Sequence, residues 1–249
     1  MRLFPLPLAQ SELALVVQMD RCIKPELLDE LSPVDPAAVQ SRHDLRRLNM
    51  LMGHAGILRR ALRSASLPRA PKRIVELGAG DGSFLLRVAQ KMGADGHGIH
   101  FVLVDRHEVI RPQTRDAFKA VGCSVETITA DVFDWLRQGA IQNDDVVVSN
   151  LFLHHFSEER LAQLFGLVSK EAQAFFAIEP RRAVCPLAFS HLLWFIGCNR
   201  VTRHDACISV RAGFKGTELS HLWPASSKWQ LSEWRAGLFS HAFVAAKVS

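Results

Sequence analysis

The sequence predicts an α/β protein built on a doubly wound, seven-stranded sheet, with a helical segment in front of it. Three observations carry this. Five short apolar runs between residues 72 and 179 alternate with helical patterns, as βα units do when they build a parallel sheet covered on both faces. A glycine-rich turn follows the first run. Near the carboxyl end, two extended stretches separated by a tight turn read as a hairpin that closes the sheet edge antiparallel. With 249 residues the chain can fill the core of one large α/β domain. A balance of 48% hydrophobic to 22% charged residues is that of a folded soluble protein.

Taken in order, residues 1–67 read as a helical cap, because Leu45, Leu48, Met52, Ile57 and Leu58 recur at roughly helical spacing. Pro5, Pro7, Gln10 and Glu12 interrupt the start, so no signal peptide is expected. Residues 66–71 carry two prolines and form a joint. The main domain then covers residues 72–249. Its strands are expected at Ile74-Val75, 101–104, 125–130, 146–148 and 175–178. The clearest helix follows Ser157, with Glu158 and Glu159 in its first turn and Leu161, Leu164, Phe165 and Val168 on one face. Residues 180–228 interrupt the pattern as an insert. Within it the apolar run from Pro186 to Ile196, including Trp194 and Phe195, reads as core, with a greasy lid as the alternative. Residues 229–235, a turn at Gly237 and residues 241–248 make the hairpin.

The decisive segment is Val75-Glu76-Leu77-Gly78-Ala79-Gly80-Asp81-Gly82-Ser83, between a strand and a helix. Glycines here let the backbone turn sharply and lie against a ligand. The G-x-G-x-G spacing differs from the G-x-G-x-x-G of nicotinamide and flavin binders. Asp105, Asp131 and Asn150 end the next three strands, at the edge where open α/β sheets bind ligands. Singly, Asp105 or Asp131 reads more readily as a helix N-cap than as a ligand contact.

These features together resemble the class I S-adenosylmethionine-dependent methyltransferases over roughly residues 72–248. The resemblance implies a Rossmann-like fold and S-adenosyl-L-methionine as cofactor. It carries Glu76, Gly78 and Gly80 over as contacts to the methionine part. Asp105, with Arg106 beside it, falls on the ribose, where a carboxylate can accept from two hydroxyls. Asp131 and Val132 fall on the adenine, and Asn150 faces the cofactor sulfur and the acceptor.

After the fourth strand stands Asn150-Leu151-Phe152-Leu153-His154-His155-Phe156. It resembles the His-His-Phe segment of the ubiquinone and menaquinone biosynthesis branch, whose members methylate small, often aromatic molecules. It departs from the Asn/Asp-Pro-Pro-aromatic motif of enzymes acting on DNA bases. Residues 44–58 and the Arg211-Ala212-Gly213-Phe214 stretch resemble methyltransferases encoded beside bacterial type III polyketide synthases. A small aromatic or polyketide-like acceptor is therefore expected, methylated at oxygen. Carbon methylation, an RNA or protein acceptor, and a non-catalytic cofactor-binding scaffold are the alternatives. If the acceptor must lose a proton, the candidate bases are His204, His154 and His155, since histidine titrates where this is useful. His204 is favoured because Asp205 follows it and can orient the ring; the competing reading makes it a loop residue. His154 and His155 read otherwise as one core histidine and one near the surface. Arg203 and Arg211 can hold an anionic group on the substrate.

Cys22, Cys123, Cys185, Cys198 and Cys207 are scattered, with no C-x-x-C pair, so buried reduced thiols are expected and no metal site is read. The net charge of +5 is spread in small groups such as Arg46-Arg47, Arg59-Arg60 and Arg181-Arg182. Nucleic acid is accordingly disfavoured as a partner. No apolar run is long enough to span a bilayer, and a cytoplasmic setting is expected.

Overall fold

The computed structural model describes residues 19–32 and 34–248. Residues 1–18, which include the Pro5–Glu12 stretch read above, lie outside them. Seven strands form one sheet in the order β3-β2-β1-β4-β5-β7-β6. They are β1 (Arg73–Leu77), β2 (His100–Asp105), β3 (Ser124–Thr129), β4 (Val146–Asn150), β5 (Ala174–Pro180), β6 (Trp229–Ala236) and β7 (Ser240–Lys247). The first five pair in parallel, and β7 enters antiparallel against β5 and β6. The doubly wound sheet with its closing hairpin is thus as expected.

The reason lies in alternation along buried strands. Val75, Leu77, Val102, Val104, Val147, Phe175 and Phe243 face one core, filled from the other side by α6 (Val132–Arg137), α7 (Glu158–Glu171) and α10 (Glu218–Leu222). Ile74, Phe101, Leu103, Val146, Val148 and Phe176 face a second core under α4 (Ser83–Met92) and α5 (Pro112–Ala120). Helix α7 starts where it was read: the Ser157 side chain accepts from the Arg160 N–H, and Leu161, Leu164, Phe165 and Val168 are fully buried.

The segment before the sheet holds α1 (Leu27–Glu30), α2 (Pro36–Leu51) and α3 (His54–Ser64). Helix α3 packs Ala55, Leu58 and Ala61 into the second core, so it is a wall of the sheet. Truncating Leu58 to alanine there would cost about 2–5 kcal/mol. The insert is helical: α8 (Val184–His191), a 3-10 turn at Leu193–Ile196, and α9 (Arg200–Ala212). The expectation that the apolar run 186–196 is core is corrected. Pro186 and Leu193 are buried, but Phe189, Leu192, Trp194, Phe195 and Ile196 are exposed. With nearly every position apolar, a surface helix can bury one side only. The thiols are all free, and Cys22 and Cys185 are exposed rather than buried. Among the described residues no helix is long and apolar enough to cross a membrane.

Candidate active site

The carboxyl ends of β1, β2, β3 and β4 open into a cavity of about 720 Å³, roofed by the α1–α2 region, α8 and α9. All eight residues read as cofactor contacts line it: Glu76, Gly78, Gly80, Asp105, Arg106, Asp131, Val132 and Asn150. Their neighbours show how each is held.

The two glycines do different work. Both have positive φ, +72° at Gly78 and +54° at Gly80. A Cβ at Gly78 would stand 2.3 Å from the Phe152 ring, so this glycine makes room for protein. A Cβ at Gly80 would meet nothing within 4 Å, and only there does the bare backbone face open cavity. The Gly80 N–H donates to Asp105 Oδ2 at 2.8 Å, and the His107 N–H donates to Oδ1 at 2.9 Å. Asp105 therefore clamps the glycine loop, and each carboxylate oxygen keeps a lone pair for another donor. Asp131 is the N-cap of α6, its Oδ1 accepting from Phe133 and Asp134. Both readings of it are compatible, since Oδ2 makes neither bond. Val132 begins α6, where helical N–H groups lack intrahelical partners.

Glu76 is 1% exposed, and its Oε2 has no partner among the described residues. Burial, reinforced by the charges of Asp81 and Asp105, pushes its carboxyl well above the usual carboxylate range. A buried acid left without a partner is costly; here it lines a cavity that can admit a cation. Asn150 accepts from His54 Nδ1 at 2.8 Å, and His54 Nε2 meets the Ser240 hydroxyl at 2.7 Å. Burial lowers His54 to about 4 despite the Asn150 hydrogen bond, so it stays neutral. Leu151, next in the chain, is the one non-glycine residue at positive φ (53°) among the described residues, a strained conformation of the kind found at functional sites.

The histidine pair sits in the same cavity. His154 Nδ1 lies 2.7 Å from Glu179 Oε2, and Nε2 lies 3.4 Å from Glu26 Oε1. Burial alone would lower this histidine, but its bonds to Glu179 and Glu26 raise it to about 9. Glu26 is buried too, which opposes ionisation, yet His154 draws it down to about 2. His154 is thus a cation between two carboxylates, and its candidacy as a base is corrected. Glu179 also accepts the backbone N–H groups of Phe152 and Leu153, fixing the loop. The His155 ring lies 4.2 Å from that of His154. Burial first, then the His154 charge, lowers the His155 pKa, leaving a neutral imidazole on the cavity wall. Glu26, His154 and His155 bring donor atoms within 4.8 Å of one another, the spread of a metal site. A metal would first have to displace the His154 proton.

The α9 candidates fall elsewhere. Thr202, Asp205, Ala206, Ser209 and Val210 face the cavity, at the i, i+3, i+4, i+7, i+8 spacing of one helical face. His204 and Arg211 point away, and Arg203 lies off that face, its Nε donating to Asn199 O; none of the three lines the cavity. His204 is corrected from loop to helix surface. Asp205 does meet its Nδ1 at 2.9 Å, but the carboxylate mainly accepts the Leu27 and Leu28 N–H groups, both at 2.9 Å. Residues 21–31 form a strap across the opening. Arg21 donates to Ala212 O and Phe156 O, Glu26 accepts from Ser209, and Asp29 pairs with Arg106 at 3.0 Å.

Sequence reasoning missed Glu26, His54 and Glu179. Glu179 alone left a signal: an acid ending a buried strand, as Asp105 does. Residues 74–170 match a family model described as a methyltransferase domain. No curated protein matches the chain. Solved structures share the fold. A Nostoc punctiforme protein assigned as an O-methyltransferase is 17% identical, with a TM-score of 0.57 over 93% of this chain. A Burkholderia thailandensis O-methyltransferase family protein is 15% identical, with 0.53 over 86%.

 The mitomycin 7-O-methyltransferase is 14% identical, with a TM-score of 0.52 over 89% of this chain. A bacterial CtHen1 methyltransferase domain is 13% identical, with a TM-score of 0.51 over 81% of this chain. The chain spans 66%, 61% and 60% of the Nostoc, Burkholderia and mitomycin chains.

Proposed function

We propose that this chain transfers a methyl group from S-adenosylmethionine to the oxygen of a small aromatic or polyketide-like acceptor. One observation carries the reading: the buried carboxyl of Glu76, whose Oε2 has no partner among the described residues, stands in a 720 Å³ cavity beside the glycine loop, Asp105 and Asp131. The methyltransferase-domain match over residues 74–170 supports it. The residues suit the cofactor's chemistry. Glu76 can ionise against a cationic ligand, Asp105 has lone pairs left for ribose hydroxyls, and Asp131 Oδ2 can accept from an adenine amino group. When bound, S-adenosylmethionine supplies a methyl group activated on a sulfonium.

The chain's own part is alignment, exclusion of water and a place for the acceptor's proton. His155 takes that place. It is neutral and lines the cavity, its pKa lowered by burial first and then by the charge of His154 beside it. The acceptor hydroxyl would give its proton to the His155 ring and from there to water, and its oxygen lone pair would take the methyl carbon as the carbon–sulfur bond breaks, that bond's electron pair leaving on sulfur as S-adenosylhomocysteine.

Calorimetry with S-adenosylhomocysteine tests the cofactor half. Asp105→Ala should weaken binding by about 2–4 kcal/mol through two lost charge-assisted hydrogen bonds. Wild-type protein that binds no S-adenosylhomocysteine, or a variant that binds it equally well, would overturn the reading. Product analysis on a panel of phenols separates oxygen from carbon methylation.

A further inference from the structure

Three stretches of the chain contain no aspartate or glutamate: residues 45–75, 181–204 and 234–249. Parts of all three meet at one rim of the cavity. Arg47 on α2 donates to Ile196 O at 3.2 Å, and Leu48 packs on Leu193. Phe189 on α8 meets Phe239 in the β6–β7 turn, with ring centroids 4.6 Å apart. Arg181 Nε donates to Leu238 O at 3.1 Å.

Between these ties the surface is apolar and exposed. Leu51, Leu192, Trp194, Phe195 and Leu238 are each at least half exposed, Phe195 at 67% and Leu51 at 70%. Trp194 and Phe195 stack with centroids 3.9 Å apart. Contiguous apolar surface of this kind marks an interaction site. Arg47, Arg181 and Arg235 stand among these side chains. Asp44, which Arg47 approaches to 3.8 Å, is itself buried.

We propose that this rim docks on a lipid bilayer bearing anionic headgroups. Aromatic and aliphatic side chains enter the interface, and the arginines meet phosphate. Charge selects this occupant. A second copy placed about a two-fold axis would set one basic rim against another. A nucleic acid would leave the aliphatic side chains Leu51, Leu192 and Leu238 without a role.

Flotation of the full chain with phosphatidylcholine vesicles, with and without phosphatidylglycerol, tests this and requires no methyl transfer. Its failure is therefore distinct from failure of the proposed activity. Binding should need the anionic lipid. Arg235→Gln should weaken it about fivefold, the contribution of one basic residue near such a surface. Trp194→Ser with Phe195→Ser should weaken it about tenfold or more at an unchanged melting temperature, since both side chains are exposed. No flotation, equal flotation with neutral vesicles, or flotation indifferent to the double variant would overturn the proposal. So would a lipid-free dimer, or retention of single-stranded RNA, that the double variant abolishes while flotation persists.

Discussion

Two buried histidines, His154 on the cavity wall and His54 behind Asn150, carry different charge states. His54 is 0% exposed and His154 3%, so burial presses both toward neutrality. His54 meets an amide oxygen and a hydroxyl, and falls to about 4. His154 meets Glu179 and Glu26, and rises to about 9. Burial is common to the two; the partners decide the outcome. The neutral side braces Asn150 at the end of β4. The charged side fixes the 152–154 loop and sets the charge that His155 feels.

Replacing the charged histidine and its neutral neighbour in turn gives the sharpest contrast. His154→Leu should cost about 3–5 kcal/mol in a urea melt, because two buried carboxylates lose their counter-charge. His155→Gln should leave stability and S-adenosylhomocysteine affinity nearly unchanged but lower turnover about 10²–10⁴-fold. It should also remove the acidic limb of the pH–rate profile; full turnover would return His155 to a merely packed role.

The pH dependence of stability should then separate the two histidines. A depressed pKa means that the unfolded chain binds the extra proton. His54 therefore contributes stability that is present above about 6.5 and lost as pH falls toward about 4. A raised pKa reverses the sign: the His154 contribution is complete below about 6.5 and lost as pH rises through about 9. His154→Leu should flatten the alkaline slope and His54→Leu the acidic one. A wild-type profile without either slope would remove the contrast. His54→Leu itself should cost about 1–3 kcal/mol, for an amide and a hydroxyl left facing hydrocarbon. The smallest effect belongs to His204→Gln, within about 0.5 kcal/mol and without change in turnover, as for a surface residue.

The sheet was legible because β1, β2, β4 and β5, buried on both faces, are nearly continuous apolar runs that end at a turn or polar residue, while β3 at the edge alternates. The glycine loop was legible for the same reason: its partners Asp105, Asp131 and Asn150 end neighbouring strands. His204 misled because a His-Asp pair was read without the face it occupies. Once residues 200–212 are a helix, the spacing from Thr202 to Val210 turns His204 outward. Glu26 and His54 were illegible, since their partners lie 128 and 96 residues further along the chain. The Gly78–Phe152 contact was hidden likewise: the motif shows that a side chain is forbidden but not what forbids it.

The strap over the opening has a kinetic consequence. Its outer tie, Asp29–Arg106, joins half-exposed side chains, whereas Asp205 and Glu26 hold it from beneath. Dissolved salt screens the first and hardly reaches the others. Ionic strength should therefore loosen the outer tie of the strap while its inner ties hold. Residence time in the cavity would then be set by the medium as well as by the walls, with the sheet itself indifferent to both.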